Sequence, residues 1–186
     1  MEAIKKIELN KIAKVILVAA LGTLLLTISA KIKIPFYPIP MTMQTFIVLF
    51  LGITLGPKIG LLTISLYLFE GIFGLPVFAG TPEKGIGLVY FTCPTMGYLI
   101  GFLVAVYFAG LFKYDKGPIN TFLKLIFSVS FIYILGLIWL GTLIGWDKPI
   151  YRLGAEPFLL AELFKMLLLL FLTPVLFKIQ KLIKII

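Results

Sequence analysis

The chain has 186 residues; 61% are hydrophobic and 13% charged, its net charge is +9 and its mean hydropathy is +1.12. A soluble domain of this size could not remove so much apolar surface from water, so composition excludes a soluble globular domain, a disordered tail and a disulfide scaffold. An all-α integral membrane protein is expected, as a single membrane domain over residues 1–186.

Six apolar segments are predicted to span, each near the length that a bilayer requires or somewhat short of it. In chain order they are Ile12–Ala30, Thr42–Leu55, Ile59–Phe73, Gly87–Phe112, Ile119–Leu143 and Phe158–Phe177. The first has a basic front like a signal peptide, but its apolar run is long and Ile28 occupies a position where cleavage needs a small residue. A retained first span is expected. The second and third are joined by Gly56-Pro57-Lys58, a tight-turn signal.

The basic residues set the orientation. With both termini cytoplasmic, eleven lysines flank the inner ends of the spans. Five basic residues (Lys31, Lys33, Lys84, Lys148 and Arg152) fall outside, and Lys165 lies within the sixth span. That bias follows the positive-inside rule, so the net charge reads as topology and nucleic acid is not an expected partner. The three longest loops then face outward. The first carries Pro35, Phe36, Tyr37, Pro38, Pro40 and Met41. Its prolines forbid a helix, yet it is apolar between them. Two readings follow: a loop that caps helix ends, or a lid over a ligand pocket.

Charges inside apolar spans cost several kcal/mol and mark functional candidates. Glu70, Glu162 and Lys165 are such residues. Glu162 and Lys165 are three apart on one helix face. They either pair as helix glue or present an acceptor and a cationic donor to a polar ligand. Glu70, near the outer end of the third span, either contacts ligand or caps nearby backbone. Gly97, Gly101, Ala105 and Ala109 recur at four-residue spacing, which allows close helix approach, most simply within the molecule. Tyr90, Phe91, Tyr98, Trp139 and Trp146 lie near span ends, where aromatic rings anchor at the interface or line a pocket.

Several chemistries lack their residues. The chain has no His and one Cys, Cys93, so no metal site or cofactor is expected. The glycine spacing around Gly80–Gly85 resembles a P-loop, but Ile86-Gly87 stands where Lys-Ser/Thr is needed. No nucleophile–base set is visible either, so no catalytic residues and no enzyme activity are expected.

Ordered blocks along most of the chain resemble the BioY family. They are Ile34-Pro35 with Pro38 through Thr45, Leu55 through Gly60, Tyr67 through Gly71, Gly74 through Gly80, Pro94 through Phe102, and Pro157-Phe158 followed by Glu162 and Lys165. The resemblance implies a six-helix substrate-specificity (S) component of an energy-coupling factor transporter, in a prokaryotic cell membrane. It implies capture of biotin from outside, with a transmembrane coupling protein and a pair of cytoplasmic ATPases as partners. It also implies ligand contacts at Glu162 and Lys165, where the family usually has Asp and Lys. Gln44, Glu70, Gly80, Thr95 and Tyr98 lie in the matching blocks and join the candidate set. Small residues on the first helix, here Ala19, Thr23 and Thr27, would dock the coupling protein or else pack internally. The alternatives are a self-sufficient carrier or channel for a small polar solute, and an S component for another vitamin.

Overall fold

A computed structural model describes residues 2–35, 41–83 and 85–185. The first helix, α1 (Glu2–Lys31), leads into a two-residue strand, β1 (Lys33–Ile34), which pairs antiparallel with β2 (Met41–Thr42). Next come α2 (Gln44–Ile72), a 3-10 helix at Gly87–Thr92, α3 (Met96–Leu111) and α4 (Pro118–Ile144). A short α5 (Ile150–Gly154) precedes α6 (Glu156–Ile185). The fold is helical as expected, and four of these helices are long and apolar enough to cross a membrane among the described residues. They make this a multi-pass membrane protein.

α2 is broken at the turn signal. Gly56 adopts φ +76 and ψ 176, a left-handed conformation that glycine tolerates without a Cβ clash, and Pro57 follows. The two halves fold back on each other. The Gln44 Nε2 donates to Tyr67 Oη at 3.0 Å, whereas a continuous helix would hold those residues roughly 35 Å apart.

The small-residue stripe on α3 packs inside the molecule. A Cβ at Gly101 would lie 2.6 Å from the α4 backbone at Ile132, and one at Gly52 of α2 would lie 2.7 Å from the Val106 carbonyl. Ala105 and Ala109 are completely buried. Small residues here let α2, α3 and α4 meet backbone to backbone, where dispersion contacts replace the hydrophobic drive that lipid removes.

One expectation changes. The fourth span was expected from Gly87, but α3 begins only at Met96. Gly85 and Gly87 take positive φ, and Pro94 interrupts the segment, so its first part forms a 3-10 helix beside the bundle. Of the two readings of the aromatic residues, Tyr90 and Trp139 take the inward one rather than the interfacial one. Tyr90 is buried in the core, and the Trp139 indole donates to the Cys93 carbonyl at 3.0 Å. Trp146 is exposed.

The bundle has two chemically distinct ends. At one, Gly110 of α3 abuts Pro57, and Gln180 of α6 donates to the Ile53 carbonyl at 3.0 Å. The other carries the β1–β2 pair, the 3-10 helix and the mouth of a large cavity.

Candidate functional site

That cavity has a volume of about 740 Å³, within the range of small-molecule sites. Its wall is mostly apolar, with contributions from Leu99, Phe102, Ile132 and Phe158. The β1–β2 register sets Lys33 opposite Thr42 and Ile34 opposite Met41. This pairing brings both ends of the first loop to the cavity, which Lys33, Met41 and Thr42 line. Pro35 is exposed. Phe36, Tyr37, Pro38 and Pro40 of the expected lid lie outside the described residues.

At the wall formed by α6, Glu162 and Lys165 are both only 4% exposed. Their helical spacing places Lys165 Nζ 2.7 Å from Glu162 Oε1. Thr45 of α2 completes a triangle. Its hydroxyl donates to Glu162 Oε1 at 2.8 Å and accepts from Lys165 Nζ at 3.0 Å. Tyr133 of α4 also lines the cavity, on the side of Glu162. The pairing reading and the ligand reading therefore describe the same residues: the two charges compensate each other and still face the cavity.

The arrangement leaves specific capacity unused. Glu162 Oε2 is buried and has no hydrogen bond of normal geometry among the described residues, while the Tyr133 hydroxyl lies close enough to interact with the Glu162 carboxylate. Lys165 spends two of its three N–H donors on Thr45 and Glu162. One buried acceptor and one buried donor thus stand together in a mostly apolar wall. An unsatisfied buried acceptor is costly, and a ligand N–H would relieve that cost.

The other candidates divide. Gln44, Gly80, Thr95 and Tyr98 all line the cavity. Most of their polar atoms serve the frame: Gln44 donates to Tyr67, Thr95 donates to Tyr90 Oη at 3.1 Å, and Tyr98 Oη donates to the Gly154 carbonyl at 2.7 Å. Burial pushes the Tyr90 hydroxyl pKa up, which keeps it protonated as a donor. Glu70 is not part of this wall. It accepts from Thr23 Oγ1 at 3.0 Å, between α1 and α2. Ala19 and Thr23 are buried and Thr27 half-buried, so this stripe faces α2 more than it faces outward.

Sequence reasoning passed over Thr45, Lys33 and Tyr133 as site residues. Thr45 adjoins Gln44 in a block already singled out, and a hydroxyl at the start of a span was its available signal. Tyr133 lies in the least distinctive stretch of the chain, and only packing against α6 gives it a role.

Comparison with known proteins agrees with this architecture. The model of the BioY family matches residues 3–182. The chain is 35% identical over 153 residues to the "Probable biotin transporter BioY" of Pyrococcus horikoshii, covering 82% of this chain and 90% of that protein. It is 34% identical over 149 residues to the "Biotin transporter BioY" of Thermotoga maritima, covering 80% and 86%. A crystal structure of the S-component for biotin from an ECF-type ABC transporter superposes with a TM-score of 0.71 at 24% identity, over 94% of this chain and 93% of that one. That likeness establishes the shared fold. The match over nearly the whole sequence, together with these relatives, shows that the chain belongs to the BioY family.

Proposed function

We propose that this protein captures biotin from outside a prokaryotic cell, as the S component of an energy-coupling factor transporter in the cell membrane. A separate coupling protein and cytoplasmic ATPases supply the energy. In this reading the chain crosses the bilayer six times, with the two halves of α2 as separate passages and both termini inside. The fold-back of α2 supports that count, and the lysine distribution supports the orientation.

The observation that carries the assignment is the buried Glu162–Lys165 pair on the cavity wall, in which, among the described residues, Glu162 Oε2 has no hydrogen bond of normal geometry and Lys165 Nζ bonds Thr45 and Glu162 alone. A ureido group places N–H donors beside a carbonyl acceptor and complements that pair. The apolar wall suits the thiophane ring. Lys33, exposed at the mouth, suits the carboxylate tail. Glu162 and Lys165 are the central ligand contacts, with Gln44, Gly80, Thr95 and Tyr98 shaping the wall. The first loop closes over the bound ligand.

Isothermal titration calorimetry of the purified protein tests the assignment. Stoichiometric biotin binding is expected, with biotin also found by mass spectrometry in material purified without added ligand. Absence of biotin binding, with binding of a different vitamin, overturns the specificity. Uptake into proteoliposomes that lack any ATPase overturns the coupled mechanism in favour of a self-sufficient carrier.

A further inference from the structure

A turn at Val77–Thr81 forms part of the cavity wall, through Ala79 and Gly80. Side chains from separate elements hold its carbonyls. The Val77 carbonyl accepts from Tyr67 Oη of α2 at 3.0 Å, and the Ala79 carbonyl accepts from Tyr90 Oη of the 3-10 helix at 2.9 Å. Phe78 inserts between those tyrosine rings, 5.2 Å from Tyr67 and 4.8 Å from Tyr90, centroid to centroid. The third anchor is Lys31, the last residue of α1. Its ammonium donates to the Phe78 carbonyl at 3.1 Å, to the Thr81 carbonyl at 2.6 Å and to Thr81 Oγ1 at 2.8 Å.

We infer that Lys31 is a positioning residue for the ligand site, which ties the outer end of α1 to the Ala79–Gly80 wall. An ammonium has three N–H donors radiating from one atom, and here all three are used. They grip Phe78 and Thr81, the residues on either side of the two that line the cavity. Charge-assisted bonds of this kind are the stronger class. The planar fork of arginine does not reproduce three bonds converging on a single nitrogen. The anchor bonds the end of α1 directly to the turn. Any displacement of the α1 end therefore reaches the wall, and by reciprocity an occupied cavity biases the position of α1.

The inference rests on the proposed biotin site for its binding arm and stands apart from it for its structural arm. The structural arm is hydrogen–deuterium exchange of the detergent-purified chain without ligand, comparing wild type with Lys31→Met. Exchange in peptides across 76–83 is expected to rise by about tenfold, the scale of losing charged hydrogen bonds, with α3 and α4 unchanged. Thr81→Val, which removes one of the three oxygens, is expected to give a smaller rise in the same peptides. In the binding arm, Lys31→Met and Lys31→Arg are both expected to weaken biotin affinity by roughly tenfold, mainly through faster release.

Wild-type exchange across 76–83 in Lys31→Met overturns the inference. So does a rise spread over the whole chain, which would mark general destabilisation, or wild-type affinity in Lys31→Arg, which would show that only positive charge matters. A local exchange change in a protein that binds no biotin supports the anchor and overturns the assigned ligand instead.

Discussion

Glu70 in α2 and Glu162 in α6 are both carboxylates within apolar helices, and the fold gives them different work. Glu70 lies half-buried between α1 and α2, where it accepts from the Thr23 hydroxyl outside the cavity wall. Glu162 is almost completely buried. One oxygen is shared between Lys165 and Thr45, and the other is buried without a hydrogen bond of normal geometry among the described residues, in a side chain that lines the cavity. A charge in a span thus signals that something must compensate it. Whether a ligand takes part depends on whether the protein has already satisfied both oxygens and whether a cavity adjoins them.

Substitutions at four positions test this contrast, in order of expected effect. Lys165→Met strips the buried Glu162 carboxylate of its cation, and breaking a buried pair costs about 3–5 kcal/mol. Biotin binding by calorimetry is expected to fall by a factor of at least ~100, and binding near the wild-type level would break the contrast. Glu162→Gln keeps the shape while removing the charge and leaves Lys165 uncompensated. A loss of roughly thirtyfold is expected, with Glu162→Asp losing less because the carboxylate remains. Thr45→Val removes the hydroxyl that bridges the pair. About a fivefold weakening of affinity is expected, from one lost hydrogen bond of ordinary strength.

Glu70→Gln is expected to do least. The amide oxygen still accepts from Thr23, so equilibrium affinity should stay within about twofold of wild type, and any change should appear in thermal unfolding of the detergent-solubilised protein. A loss of affinity comparable to that of Glu162→Gln would place Glu70 in the ligand site and remove the distinction between the two regions.

Part of the site was legible in the sequence for definite physical reasons. Glu162 and Lys165 stand out because charges are rare in apolar helices, and their three-residue spacing fixes them on one helix face. Gly56-Pro57 announces its turn because only glycine takes that backbone conformation readily. The small residues of α3 declare a close helix contact, but not with which helices. Thr45, Tyr133 and Lys31 carry no such mark. Hydroxyls, tyrosines and terminal lysines occur in many settings, and their roles arise from contacts with Glu162, with the cavity or with Thr81, residues distant in sequence. The start of α3 was misplaced because apolar composition continues through Gly87–Thr92 while the backbone there turns on glycines and a 3-10 helix.

By itself the sequence determined a membrane-embedded helical protein, with a basic bias toward one end, a break within α2 and a charged pair in α6. Those are local properties: hydropathy summed over a span, lysine counts beside span ends, glycine and proline chemistry, and helical periodicity. Tertiary structure alone decided that Glu162 faces a cavity while Glu70 faces α1, that Thr45 closes the charged triangle, and that Lys31 grips the turn behind Gly80. Each depends on which surfaces meet when the helices pack, and packing is set by side-chain fit across the whole bundle rather than by any one segment.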